Sequence, residues 1–191
     1  MEWVIMKTLI AYGTRYGATA GTAEEISRVL QEEGHEVRVV DVKKDKIKSI
    51  SEYELVITGS GMRIFRWVGE AEDFIKKFQN DLRQKKTAIF VSSGAQAIHK
   101  YDNDTEAMNT AWTKYPVEKA ERYSLQPIMM AIFGGVWDYN KMGFPFKKTM
   151  LAFQEKLREA GIEETHPGVY DTRDWEEIRG WARELAQKAS G

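Results

Sequence analysis

Short apolar runs alternate along the chain with stretches in which apolar residues recur every three or four positions. Leu9-Ile10-Ala11-Tyr12, closed by Gly13, reads as a buried strand. Ala20 to Glu33 places Ala23, Ile26, Val29 and Leu30 on one helical stripe, and Gly34 follows as a helix-ending residue. Glu36 to Val42 is rich in β-branched residues and predicts a second strand. Leu55 to Thr58, ended by Gly59-Ser60-Gly61, predicts a third. Ala71, Phe74, Ile75, Phe78 and Leu82 form another helical stripe, and Thr87 to Val91 a fourth strand ended by Ser92-Ser93-Gly94. The pattern then weakens. A helix is expected over Glu106 to Lys114, with Pro116 opening another. Ile128 to Phe133 is the fifth strand, Phe146 to Ala160 a helix stopped by Gly161, and Gly168 to Tyr170 a short extra strand. Asp174, with Glu177 three residues on, is an N-cap signature. It opens a last helix whose apolar face is Trp175, Ile178, Trp181, Ala182 and Leu185. This alternation predicts an α/β domain: a parallel sheet with helices on both faces and right-handed crossovers.

Composition narrows the function classes. A chain of 191 residues makes one domain, and 42% hydrophobic residues suffice for its core. A net charge of −1 argues against a nucleic-acid partner. With no cysteine, thiolate catalysis, disulfides and cysteine-held metal clusters are excluded. His35, His99 and His166 show no metal-ligand spacing. No apolar stretch is long enough to span a bilayer, and the acid at Glu2 does not suit a signal peptide, so a cytoplasmic location is expected. The Asn103-Asp104-Thr105 sequon is read as chance, and the basic run Lys43 to Lys48 as a solvated loop.

In an open parallel sheet, ligands bind beyond the carboxyl ends of the strands. After strand one comes Thr14-Arg15-Tyr16-Gly17-Ala18-Thr19 and then a helix. Hydroxyls and a glycine opening a helix suit a phosphate, because the first backbone N–H groups are unpaired and carry partial positive charge. The nucleoside-triphosphate loop and the dinucleotide glycine fingerprint are both missing here. The bland alternative is an ordinary helix start with Thr19 as N-cap.

The segment Tyr12 to Thr19, YGTRYGAT, resembles the FMN-phosphate loop of flavodoxins, with Thr14, Gly17 and Thr19 in the fixed positions. Arg15 departs from common short flavodoxins. Thr-Arg at this point is more similar to the flavodoxin-type, menaquinone-dependent protoporphyrinogen oxidases, as are Ile57 to Phe65, Phe133 to Tyr139 and Asp174 to Ala186. The resemblance implies a flavodoxin-like, doubly wound five-stranded parallel sheet of order 2-1-3-4-5, one FMN-binding domain over residues 1–191. It also implies two flavin-flanking loops: Ser60 to Trp67 after strand three, with Ser60, Gly61, Met62, Arg63, Ile64 and Phe65 as candidate flavin contacts, and Ser92, Ser93, Gly94, Ala95 and Gln96 after strand four. Gly61 is the candidate for a flipping peptide that answers flavin reduction. Phe65, Trp67, Trp137 and Tyr139 are candidate ring walls, and Arg63 and Arg66 flank the first loop.

The resulting expectation is an electron carrier with non-covalent FMN and a redox protein partner, ferredoxin-like or a flavoenzyme reductase. The alternative is a flavoenzyme like the protoporphyrinogen oxidases, which would need a basic, apolar, membrane-facing surface over Gln96 to Pro127. That segment mixes lysines with acids. The aromatic group Trp137, Tyr139, Phe144 and Phe146 favours the alternative. A phosphoacceptor regulatory domain is excluded by Thr14 and Ser60, which stand where acids are required.

Overall fold

The computed structural model describes residues 5–63, 65–143 and 146–191. Its first half alternates β1 (Lys7–Gly13), α1 (Ala18–Glu32), β2 (Glu36–Asp41), β3 (Leu55–Arg63), β4 (Arg66–Trp67), α2 (Gly69–Leu82) and β5 (Lys86–Ser92). Then come α3 (Ala95–Tyr101), α4 (Thr105–Trp112), a π-helical stretch Thr113–Val117, α5 (Glu118–Arg122) and β6 (Met129–Phe133). The chain ends with β7 (Val136–Asp138), α6 (Phe146–Glu159), β8 (Glu164–His166), β9 (Val169–Asp171) and α7 (Trp175–Ser190).

The main sheet runs β2-β1-β3-β5-β6, every neighbouring pair parallel. Counting parallel strands alone, this is the expected order 2-1-3-4-5. Register is carried by apolar rungs such as Ile10 beside Val39 and Ile57. Because side chains alternate across a strand, β1 splits between two cores. Leu9 and Ala11 join Ala71, Phe74, Ile75 and Phe78 of α2 on one face. Ile10 joins Ile26 and Leu30 of α1 and Ile178, Trp181 and Leu185 of α7 on the other. The helix ends follow local chemistry: Gly34 and Gly161 adopt positive φ, and the Asp174 carboxylate accepts from the Glu176 and Glu177 N–H groups.

Three features depart from the sequence pattern. β4 pairs antiparallel with the end of β3, forming a hairpin outside the parallel path. The extra strand at 169–171 lies outside the main sheet, at the centre of a separate antiparallel sheet β7-β9-β8. Pro116 does not open a helix but sits within the π-helical stretch joining α4 to α5. Proline cannot donate to a helical ladder, and the wider i→i+5 turn absorbs the missing bond. A third cluster, Ile98, Tyr139, Leu157 and Tyr170, ties α3 and α6 to the small sheet.

Candidate functional site

The carboxyl ends of β1, β3 and β5 lie side by side, since Gly13 is in register with Ser60, and Gly61 with Ser92. Each strand delivers one loop.

The loop after β1 turns tightly. Gly17 is the N-cap of α1 with φ 98°, a left-handed conformation that L side chains resist. The Thr14 hydroxyl oxygen accepts from the Gly17 N–H at 3.0 Å, closing the turn. No side chain caps α1, and its first turn carries no acid. The helix therefore presents N–H groups and partial positive charge at its start, suited to an anion. The N-cap is Gly17, so Thr19 does not take that role. Thr19 is buried within the first helical turn, its hydroxyl against Gly61, where an added Cβ would come within 2.9 Å of Oγ1. Arg15 is exposed, while Tyr16 and Ala18 are half-buried.

The loop after β3 is pinned. Buried Ser60 donates through Oγ to the Gly61 carbonyl at 3.0 Å and accepts from the Val68 N–H at 3.1 Å. The Val68 N–H also reaches the Gly61 carbonyl at 3.2 Å. Gly61 thus lies in extended strand with its carbonyl engaged, and it is absent from the positive-φ glycines. Its glycine identity matches the close approach to Thr19. The residue with positive φ is Phe65 at 59°, at the hairpin tip and 67% exposed. Met62 is half-buried against the α2-side core. Ile64 and Phe144 lie outside the described residues, as do the side chains of Arg63 and Phe146.

The loop after β5 holds unpartnered polar atoms. Ser92 Oγ and Gln96 Oε1 are buried without a hydrogen-bond partner. The Ser93 N–H donates to the Phe133 carbonyl at 2.9 Å, and the Gln96 N–H to the Ser93 carbonyl at 3.1 Å. Gly94 caps α3, which begins at Ala95, and the Trp137 indole packs on Gly94: a Cβ there would stand 2.3 Å from Nε1. That indole N–H is also buried and unpartnered.

The aromatic candidates divide. Trp67 and Tyr139 are buried, 6% and 3% exposed. Burial pushes the Tyr139 hydroxyl up to about 12. Trp137 stacks with Tyr139 at 6.4 Å and with Phe153 at 5.6 Å, so its faces are engaged and its edge adjoins the loop. Phe65 remains as an exposed ring on the hairpin tip. Lys43, exposed within its basic run, also lines a cleft with Thr14, Arg15 and Arg66. Among the described residues, no group of His, Asp and Glu is placed to hold a metal, and no helix is long and apolar enough to cross a membrane.

A flavodoxin domain family model matches residues 9–164. The chain belongs to the flavodoxin family. Membership implies a flavin cofactor, and the residues fit one: an uncapped helix start with glycine at its N-cap, and buried polar atoms without partners in the loop after β5. Among curated proteins, the chain is 26% identical over 181 residues to the Escherichia coli K12 protoporphyrinogen IX dehydrogenase [quinone], covering 95% of each chain. The Leishmania major protein of the same name is 26% identical over 182 residues, covering 94% of this chain and 74% of that one. Among solved structures, an archaeal flavodoxin aligns with a TM-score of 0.57 at 16% identity, covering 97% of this chain and 100% of that one. Flavodoxin 2 from Bacillus cereus gives 0.56 at 22% identity, covering 95% and 99%.

Proposed function

We propose that this flavodoxin-family protein holds one FMN non-covalently and works as an electron carrier between redox proteins. The observation that carries the cofactor assignment is the start of α1, where Gly17 in left-handed geometry aims an uncapped helix N-terminus into the loop. Thr14, Arg15, Tyr16, Gly17, Ala18 and Thr19 would hold the phosphate. Ser92, Gln96 and Trp137 bring unpartnered polar atoms that suit a polar ring edge. FMN supplies the redox chemistry, and the chain supplies binding, orientation and electrostatics.

The carrier role rests on how charge is arranged over residues 95–122. Lys100 pairs with Glu177 of α7 at 2.7 Å, and Asp102 with Lys156 of α6. Lys119 and Arg122 both pair with Glu72 of α2, at 2.6 and 3.0 Å. These cations are committed within the protein and do not gather into a face attractive to anionic headgroups. A partner of ferredoxin-like or flavoenzyme-reductase type in the cytoplasm fits this reading.

A second reading is a quinone-linked dehydrogenase acting on a tetrapyrrole. The full-length match to proteins named for that activity favours it. One pair of assays separates the two: turnover with protoporphyrinogen and a menaquinone analogue, and reduction by a ferredoxin-coupled system. Rapid reduction without porphyrin turnover supports the carrier. Robust porphyrin turnover together with liposome binding overturns it.

A further inference from the structure

The turn between β9 and α7 reaches across to the start of α1. Arg173 leaves this turn and donates through Nη1 to the Ala18 carbonyl at 3.3 Å, over 155 positions of sequence. Its guanidinium is held from two sides. Nε and Nη2 fork onto the Asp171 carboxylate at 2.9 and 2.5 Å, and the guanidinium carbon lies 4.3 Å from the centroid of the Trp175 ring. The Asp171 carboxylate also accepts from the Arg173 N–H at 3.0 Å. The turn is itself fixed to the connection between β6 and β7. The Thr172 N–H donates to the Gly135 carbonyl and the Gly135 N–H to the Thr172 hydroxyl, both at 2.9 Å. Gly21 leaves room for the guanidinium: a Cβ there would stand 2.6 Å from Nη1.

The contact falls on one peptide of the phosphate loop. The Gly17 carbonyl takes the Ala20 and Gly21 N–H groups, so those of Ala18 and Thr19 are the donors left for an anion. The Ala18 carbonyl and the Thr19 N–H belong to one planar trans peptide and point in opposite directions. A donor that fixes the carbonyl from behind therefore fixes the direction of the N–H in front. A charged donor also polarises the peptide and strengthens that N–H. The Thr22 hydroxyl reaches the same carbonyl at 3.3 Å, but it moves with α1. Arg173 instead ties the peptide to β9 and α7. Its charge is matched by Asp171, so it acts through this peptide and not as a free cation beside the phosphate.

We infer that Arg173 is a positioning residue for the FMN phosphate: braced by Asp171 and Trp175, it holds the Ala18–Thr19 peptide so that the Thr19 N–H meets the anion. The inference rests on the FMN reading above and deepens it, by giving a residue far from the loop in sequence a share in recognising the phosphate.

The test separates phosphate from ring. Riboflavin carries the same ring and ribityl chain without the phosphate. Flavin-free protein is titrated with FMN and with riboflavin, followed by flavin fluorescence, in the unaltered chain and in Arg173→Met and Arg173→Lys. The unaltered chain should prefer FMN. Arg173→Met keeps an unbranched side chain without donors; its FMN affinity should fall about tenfold, the scale of one charge-assisted hydrogen bond, while riboflavin affinity stays within about twofold. Arg173→Lys keeps the charge, but one ammonium cannot reproduce the planar fork on Asp171 and the bond to Ala18 together, so the FMN preference should still narrow at least about threefold. An unchanged preference in Arg173→Met overturns the inference. So does a parallel fall in both affinities, which a merely structural role would give. Full recovery by lysine would show that charge alone suffices and would overturn the positioning role. An unaltered chain that binds neither flavin overturns the FMN reading and this inference with it; an FMN preference kept by every variant overturns this inference alone.

Discussion

Replacing Gly17 by alanine probes the phosphate loop through its backbone alone. A Cβ at this position meets no atom within 4 Å, so the substitution introduces no clash. What it introduces is a side chain at φ 98°. Left-handed geometry costs an L-residue about 1–2 kcal/mol. Reduced freedom of the unfolded chain returns roughly 0.4–1 kcal/mol. The net loss is about 1 kcal/mol, which for a domain of this size lowers Tm by about 2–4 °C. The loop can escape the strain only by rotating Gly17, which breaks its 3.0 Å bond to Thr14 and turns the first N–H groups of α1 away from the anion. FMN affinity should then fall about tenfold for each 1.4 kcal/mol of phosphate binding lost. Flavin fluorescence titration reads the affinity, and thermal unfolding of the flavin-free protein reads the strain. Gly17→Asn should recover much of both, because asparagine tolerates the left-handed region. An alanine variant with unchanged Tm and unchanged FMN affinity would refute the reasoning.

Asp174→Ala removes the acceptor for two N–H groups at the start of α7 and should lower stability by about 1 kcal/mol in denaturant unfolding. Hydrogen bonds from Arg28 and then Arg179 hold the Glu25 carboxyl at about 2, below its ordinary 4.5. A depressed acid stabilises the fold above its unfolded value, so this contribution should be lost as pH falls from about 4.5 through 2, and Arg179→Ala should flatten that part of the stability–pH curve. Gly94→Leu forces a side chain into the Trp137 indole and should lower both stability, by about 1–3 kcal/mol, and FMN retention; a variant with full flavin content would remove this contact from the site.

The parallel strands were legible because each is an apolar run bounded by glycine or polar residues, and their order follows from the family resemblance of the Thr14–Thr19 loop. Helix α7 was legible from its cap and stripe together. Of the small sheet only the strand at 168–170 was legible; β7 and β8 have three residues each, too few to establish an alternation. The fates of the aromatics were equally hidden. Trp67 and Phe65 stand two positions apart in one hairpin, yet one is core and the other is exposed. Trp67 is buried because it joins the core cluster that includes Ile89, Ala111 and Ala120, with Lys119 over its ring, and no local pattern encodes those distant partners. Gly61 illustrates the same limit: its need for glycine comes from Thr19, forty-two positions earlier in the chain. Lys43 gave no signal within its basic run, because only the fold brings the end of β2 beside Arg15 and Arg66.

The central claim is tested most directly by counting flavin. Protein reconstituted with FMN, freed of excess and then denatured should release one FMN per chain, and a Gly17→Val/Thr19→Val variant that remains folded should release almost none. Reconstituted protein without bound FMN, or a double variant that keeps its full complement, would contradict the account.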